Sequence, residues 1–132
     1  MKTWKTLLLA LAIALPLSGL QAATVPLDKA PRSTNDLPSL QNGAKLFVIY
    51  CLGCHSASFL RYTKLRDIGL NDEEIQANLL FTGDDMGATM TANISPEQAK
   101  DWFGVNPPDL SLITKARHHG PAYVYSLLTG YQ

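Results

Sequence analysis

The sequence has no excess of charge of either sign and few long apolar runs. Its 11 lysines and arginines balance 11 aspartates and glutamates over 132 residues. The basic residues form no stripe, which argues against nucleic acid as a partner. After the N-terminal region, no segment has the about 20 consecutive apolar residues that a membrane span needs. This length is typical of a single domain at most.

Cysteine is scarce, since Cys51 and Cys54 are the only two. A disulfide between residues so close in sequence would constrain the unfolded chain little, which makes a purely structural bridge a weak interpretation. A zinc site would need two further soft ligands, and there is no other cysteine. A thioredoxin-type redox pair would need a βαβ surround, and no alternating strand pattern is present. A simple disulfide also leaves the neighbouring His55 unexplained.

The N-terminus has the layout of a secretory signal peptide. Lys2 and Lys5 give a positive start, and an apolar run follows at residues 7–17 before small residues end at Ala22 and Ala23. This run is shorter than the about 20 residues of a membrane span. We expect residues 1–22 to be removed on export, residues 23–38 to form an irregular leader and residues 39–132 to form the domain.

The remaining periodicity is helical, and the predicted fold class is mostly α. We expect a first helix over residues 40–51, capped by Ser39, in which Gly43 and Phe47 share a face that another helix can approach closely. Further helices are predicted to start at Asn71, at Ser95 and at Asp109, and the last of these is expected to run through about His118. A last helix is predicted over residues 121–129, residues 81–94 are expected to form a loop, and no strand is predicted.

Residues 51–55 read Cys-Leu-Gly-Cys-His, the C-x-x-C-H motif of heme attachment. Two thiols must reach two vinyl groups on one edge of a porphyrin, and a turn with two intervening residues presents them together. The imidazole of His55 then lies beneath the iron as its proximal ligand. The other ring N–H of a bound histidine needs an acceptor, and Pro107-Pro108 offers carbonyls without a competing N–H. The motif therefore predicts one covalent heme c.

Two further segments follow the motif in order: Pro107-Pro108-Asp109-Leu110-Ser111, and then Lys115-Ala116-Arg117-His118 with Tyr123 and Leu127-Leu128-Thr129-Gly130-Tyr131. With the helix that precedes the motif, they make the chain from about Ser39 onward resemble cytochrome c1, the heme subunit of the cytochrome bc1 (quinol–cytochrome c reductase) complex. The resemblance implies a cytochrome c-like helical domain around a covalent heme.

By this resemblance, Cys51 and Cys54 form the thioethers and His55 is an axial iron ligand. Pro108 is added to the heme site as the predicted acceptor for the His55 ring. Arg117 and Tyr123 match positions that hydrogen-bond a heme propionate, a carboxylate that a guanidinium pairs with well. From the residues alone, Arg117 is equally well explained as a solvated cation at a helix end, and Tyr123 as a core aromatic. His118 and His119 are alternative ligand candidates, but they lie beside a Gly-Pro break, where histidine is common as a C-terminal cap. In the family, the position that His118 matches is not the iron ligand.

The resemblance further implies a one-electron carrier that is not an enzyme on its own. It would take electrons from the Rieske iron–sulfur protein and pass them to a soluble c-type cytochrome, with cytochrome b as its membrane partner. Together with the signal peptide, this implies the periplasmic side of the bacterial inner membrane. In the family, the sixth heme ligand is a methionine and a C-terminal transmembrane anchor follows it. Both are expected beyond residue 132, so the chain is expected to be truncated before the C-terminal part.

Two alternatives stay open at this point. One is a self-contained soluble periplasmic cytochrome c that uses Met86 or Met90 as its sixth ligand, because Met/His coordination is common in cytochromes c. The other is an enzyme that uses an open heme position or the cysteine pair for thiol exchange.

Overall fold

The computed structural model describes residues 26–31 and 35–131, so the expected signal peptide lies outside the described residues. The fold is mostly α, as predicted. Five α-helices are described: α1 (Leu37–Leu46), α2 (Asp72–Asn78), α3 (Pro96–Phe103), α4 (Ile113–Ala116) and α5 (Gly120–Thr129). A π-helical turn (Phe47–Cys51) continues α1, a 3-10 helix covers Tyr62–Ile68, and two strands complete the fold, β1 (Ala57–Arg61) and β2 (Thr89–Met90). Among the described residues, no helix combines the length and apolar character needed to cross a membrane.

Helix α1 begins at Leu37, earlier than predicted, because Asp36 rather than Ser39 caps it. The Asp36 carboxylate accepts the backbone N–H of Ser39 at 3.3 Å and the Ser39 hydroxyl at 2.6 Å. Pro38 is tolerated in this first turn, where its missing N–H has no helical partner. These hydrogen bonds lower the pKa of Asp36. Leu37 and Pro38 therefore belong to the helix rather than to an irregular leader.

The π-helical turn carries α1 directly into the heme-attachment motif. The N–H of Leu52 donates to the carbonyl of Phe47, five residues back, at 3.0 Å. Such turns are rare and occur frequently at functional sites. On the preceding helix, a Cβ added to Gly43 would meet no atom within 4 Å. The close helix contact expected at Gly43 is thus not made by any described part of the chain.

The two strands correct the prediction of no strand. Strand β1 pairs antiparallel with β2, with Ala57 opposite Met90 and Arg61 opposite Thr89 across an irregular register. Strand β2 lies within the segment predicted as a loop. Two residues are too few to show alternation, and β1 passes from a buried first residue to an exposed end without alternating. Local sequence pattern therefore had no means of revealing this sheet.

The apolar core is built by the first two thirds of the described chain. Tyr62 is fully buried, and its hydroxyl is satisfied by the hydroxyl of Thr82 at 2.8 Å. The core cluster has the following buried members: Val48, Leu52, Ala57, Tyr62, Leu65, Ile75, Leu79 and Met90. Of the described apolar side chains after Met90, only that of Ala99 is buried. The C-terminal third therefore lies mostly outside this core and depends on other contacts to hold its place.

Helices α2 and α3 start where the sequence predicts. Asn71 and Ser95 each form a complete capping box, with Glu74 and Gln98 respectively. Helix α3 ends at Gly104, whose φ of 73° suits glycine. In both helices the capping groups lie within three residues of each other, so these boundaries follow from local sequence.

The helix predicted from Asp109 to His118 is wrong in extent, since only the single turn Ile113–Ala116 is helical. The Asp109 carboxylate does not cap a helix of that length. It instead binds the backbone and hydroxyl of Ser58 in β1, which holds residues 108–111 against the strand. Helix α5 follows much as predicted. The leader contacts it, because the N–H of Asp28 donates to the hydroxyl of Ser126 at 2.7 Å.

Candidate heme site

The two cysteines of the motif are presented on one tight turn. Cys51 is the last residue of the π-helical turn, and its carbonyl accepts the N–H of Cys54 at 3.1 Å and of His55 at 2.8 Å. Both thiols are half-buried and unbridged. The sulfur atoms are therefore available on the same turn, as the attachment of one porphyrin edge requires.

The two residues between the cysteines differ sharply in environment. Leu52 is 0% exposed and belongs to the core cluster, whereas Gly53 is exposed. A Cβ on Gly53 would find nothing within 4 Å. Leu52 thus ties the motif to the core from inside, while the outer side of the turn stays open.

Burial raises the pKa of the Cys51 thiol. Redox-active and nucleophilic cysteines instead have lowered pKa values, because the thiolate is the reactive form. The Cys51 environment therefore does not support the thiol-exchange enzyme among the alternatives.

The imidazole of His55 is oriented by the acceptor that the sequence predicts. Its Nδ1 lies 2.9 Å from the carbonyl oxygen of Pro108. With the proton on Nδ1, the unprotonated Nε2 can bind a metal. Within the described chain, no group hydrogen-bonds Nε2. This half-buried histidine is therefore suited to be the single protein ligand on one side of a heme iron.

Residues 108–111 lie along residues 55–59 and complete the site. The N–H of Leu110 donates to the carbonyl of Ser56 at 2.7 Å. Asp109 accepts the N–H and hydroxyl of Ser58 at 2.9 and 2.5 Å. The sequence analysis treated Asp109 only as a helix start. Its contact partner is 51 residues away, so no local signal pointed to this role.

An open, largely apolar cavity of about 350 Å³ adjoins this paired segment. Its lining residues come from the π-helical turn, β1 and the segment before α4: Phe47, Ala57, Phe59, Leu60, Leu110, Ser111 and Leu112. Phe59 is 76% exposed although it lies four residues after His55. An apolar surface beside the motif fits the apolar face and edge of a porphyrin. In the sequence, the two consecutive apolar residues Phe59 and Leu60 shortly after the motif are the signal that could have indicated this surface.

Arg117 and Tyr123 lie together, as their shared assignment requires. The guanidinium carbon of Arg117 is 5.5 Å from the centroid of the Tyr123 ring, within the range of a cation–π contact. Arg117 is exposed and Tyr123 is half-buried. Among the described hydrogen bonds, none joins either side chain to the motif. Propionate binding by this pair therefore stays a prediction.

The other histidines lie in a tight turn. The rings of His118 and His119 are 4.1 Å apart and perpendicular, and both side chains are exposed. His119 has a φ of 64°. The buried Gly120 follows, and a Cβ there would lie 2.5 Å from the carbonyl oxygen of Thr114. The described residues contain no group of three or more His, Cys, Asp or Glu side chains that could hold a metal ion.

The two methionines offered as alternative ligands pack in or against the core. Met90 is 1% exposed and is paired with Ala57 in the sheet. Met86 is half-buried and packs against the same cluster. The core cluster thus encloses the thioether of Met90. Neither residue therefore favours the self-contained cytochrome.

Comparison with known proteins gives a consistent family match. The family model described as the Cytochrome C1 family matches residues 28–132. The chain is 46% identical over 132 residues to a Nitrosomonas europaea protein named ammonia monooxygenase gamma subunit, and the alignment covers 100% of this chain and 56% of that protein. It is 41% identical over 106 residues to cytochrome c1 of Allochromatium vinosum, covering 80% of this chain and 43% of the relative. Identity to cytochrome c1 of Rhodospirillum rubrum is 36% over 113 residues, covering 73% of this chain and 42% of the relative. The chain thus spans about half the length of the curated relatives it matches.

Proposed function

Because the chain belongs to the cytochrome c1 family, we propose that it is a one-electron carrier of a cytochrome bc1 complex. In this proposal it receives electrons from the Rieske iron–sulfur protein and passes them to a soluble c-type cytochrome. The observation that carries the proposal is the His55 imidazole held 2.9 Å from the Pro108 carbonyl, on the turn that presents both thiols. Redox transfer needs no substrate-transforming residue, so the subunit is not an enzyme by itself.

The cofactor of this family is a covalent heme c, and the residues of the motif fit it. When bound, the heme supplies the one-electron change of its iron. Cys51 and Cys54 would hold it through thioethers, and Nε2 of His55 would bind the iron while the Pro108 carbonyl orients the ring. Leu52 fixes this turn to the core. Arg117 and Tyr123 are proposed to bind a heme propionate, for which the guanidinium offers charge-assisted hydrogen bonds.

The proposed setting is the periplasmic side of the bacterial inner membrane, with cytochrome b as the membrane partner. Residues 1–22 would direct export, residues 23–36 would form the leader, and the heme domain would begin with α1 at Leu37. Two of the three acidic residues at 72–74 have partners within the chain. Arg66 pairs with Asp72 through two 2.6 Å contacts, and Glu74 completes the capping box of α2.

The first experiment tests attachment. The full gene product, expressed with a c-type maturation system, should carry one covalent heme that survives acid–acetone extraction. A double Cys51→Ser, Cys54→Ser variant should lose it. Covalent heme in that variant would contradict the assignment of the motif.

The second experiment tests the complex. Affinity-tagged protein isolated from native membranes should co-purify with a cytochrome b and a Rieske protein, and quinol should reduce its heme only when both are present. Co-purification with an ammonia-oxidising complex instead would contradict the proposed partners while leaving heme attachment intact.

A further inference from the structure

We propose that Asp109 is a positioning residue: its carboxylate holds the carbonyl of Pro108 against Nδ1 of His55 and thereby tunes the electron affinity of the heme iron. The inference rests on the proposed function, because it assigns a further residue to the same heme site. Asp109 directly follows Pro108 in the chain, and among the described hydrogen bonds none joins its carboxylate to the cysteines or to His55.

Both oxygens of the Asp109 carboxylate are occupied by donors on two different segments. Oδ2 accepts the backbone N–H of Ser58 at 2.9 Å and its hydroxyl at 2.5 Å. Oδ1 accepts the backbone N–H of Ser111 at 2.8 Å. The carboxylate therefore links β1, three residues past His55, to the segment that supplies the acceptor of His55.

This link is needed because the acceptor segment cannot pair through its backbone alone. Pro107 and Pro108 have no N–H to donate to a neighbouring strand. Among the described residues, a single backbone hydrogen bond, from Leu110 to Ser56, joins residues 108–111 to residues 55–59. Side chains make the other contacts: the Asp109 carboxylate on Ser58, and the Ser111 hydroxyl, which accepts the N–H of Phe59 at 3.0 Å.

Desolvation acts to raise the pKa of Asp109, but the hydrogen bonds from Ser111 and Ser58 outweigh it and hold this pKa well below its ordinary value. Asp109 is therefore ionised at neutral pH, and its hydrogen bonds are charge-assisted and stronger than neutral ones. These hydrogen bonds matter for residues 108–111, because the core cluster contains no residue after Met90 and does not hold this segment itself.

The hydrogen bonds of Asp109 affect the reduction potential of the iron through the His55 imidazole. A hydrogen bond from Nδ1–H to a carbonyl fixes the ring and raises the basicity of the ligating nitrogen. A more basic ligand favours the ferric state. If Asp109 is removed, the Pro108 carbonyl is no longer held at 2.9 Å from Nδ1, the imidazole becomes a weaker donor, and the reduction potential rises.

The test uses the heme-loaded full gene product and two readouts. Asp109→Ala should raise the midpoint potential by up to about 59 mV, which for a one-electron couple is a tenfold change in the redox equilibrium constant. It should also speed the exchange of the Nδ1 proton of His55 with solvent, measured by NMR. Asp109→Asn, which keeps an acceptor for Ser111, and Ser58→Ala, which removes one of the three bonds, should give smaller shifts in the same direction.

Asp72→Ala is the matched control, since it removes an equally well-paired carboxylate whose partner is Arg66 in the 3-10 helix. It should leave both readouts at the wild-type values. Lower stability of Asp109→Ala with unchanged potential and unchanged proton exchange would overturn the proposal and leave Asp109 a purely structural residue. If Asp109→Ala does not fold, unchanged readouts in both Asp109→Asn and Ser58→Ala would overturn it equally. Absence of covalent heme from the wild-type protein would refute the proposed function, which is a separate outcome.

Discussion

Replacing Leu52 with alanine tests whether the heme-attachment turn is held by the core. The side chain is 0% exposed and lies with Val48 in the core cluster. The substitution removes three carbon atoms, at about 0.8 kcal/mol for each buried group. Adding the cavity that remains, we expect a loss of about 3 kcal/mol, within the range of roughly 2–5 for such changes.

A loss of about 3 kcal/mol corresponds to a roughly 150-fold increase in the unfolded fraction, since every 1.4 kcal/mol is about tenfold. For a domain of this size it lowers the melting temperature by about 12–24 °C. The assay is guanidinium unfolding of the heme-loaded protein, followed by tryptophan fluorescence and by the Soret band of the heme. Both proteins carry the same two thioether links, so the effect of those links on the unfolded state cancels in the comparison.

Gly53→Ala is the control, because it changes the other intervening residue of the same motif. Gly53 is exposed, its φ is not positive, and a Cβ there meets nothing within 4 Å. This variant should stay within about 0.5 kcal/mol of the wild type. Equal losses in the two variants, or a loss below about 1 kcal/mol for Leu52→Ala, would refute the role of Leu52 as the internal anchor of the motif.

Further predictions concern the cap, the sixth-ligand alternative, the propionate and acid stability. Asn71→Ala removes half of the capping box of α2 and should cost about 1 kcal/mol in the free energy of unfolding, measured by denaturation. Met90→Ala should cost about 2–5 kcal/mol as a core truncation but leave the axial-ligand absorption bands unchanged; a lost thioether band would restore the self-contained cytochrome. Arg117→Leu should shift the midpoint potential of the heme by an amount equivalent to about 1 kcal/mol or less, because the side chain is exposed. The control Lys115→Leu should leave the midpoint potential unchanged. The same midpoint potential for both variants in a redox titration would contradict the propionate assignment. Folding lowers the pKa of Asp109, so the ionised carboxylate stabilises the fold above its unfolded pKa of about 3.9, and this stabilisation is lost as the pH falls through the folded pKa. The difference in unfolding free energy between the wild type and Asp109→Asn should therefore become smaller in acid. A difference that does not change with pH would contradict this.

The local features of this protein follow from its sequence alone. The heme-attachment motif is five consecutive residues, and the caps at Asn71 and Ser95 each join groups three residues apart. The acceptor for His55 is the exception, because Pro108 is 53 residues away. It was predictable for a chemical reason, since a proline pair offers carbonyls without competing donors.

Tertiary structure decided what depends on partners distant in sequence. Strand β2 exists only because β1 lies beside it, and two residues carry no periodicity of their own. Asp109 was expected to start a helix of about ten residues. A carboxylate can bind either the N–H groups of its own helix or those of another segment, and here Ser58 takes Oδ2, so one helical turn remains. The competing donor lies on a strand that the local pattern did not reveal, and only the folded chain brings the two together.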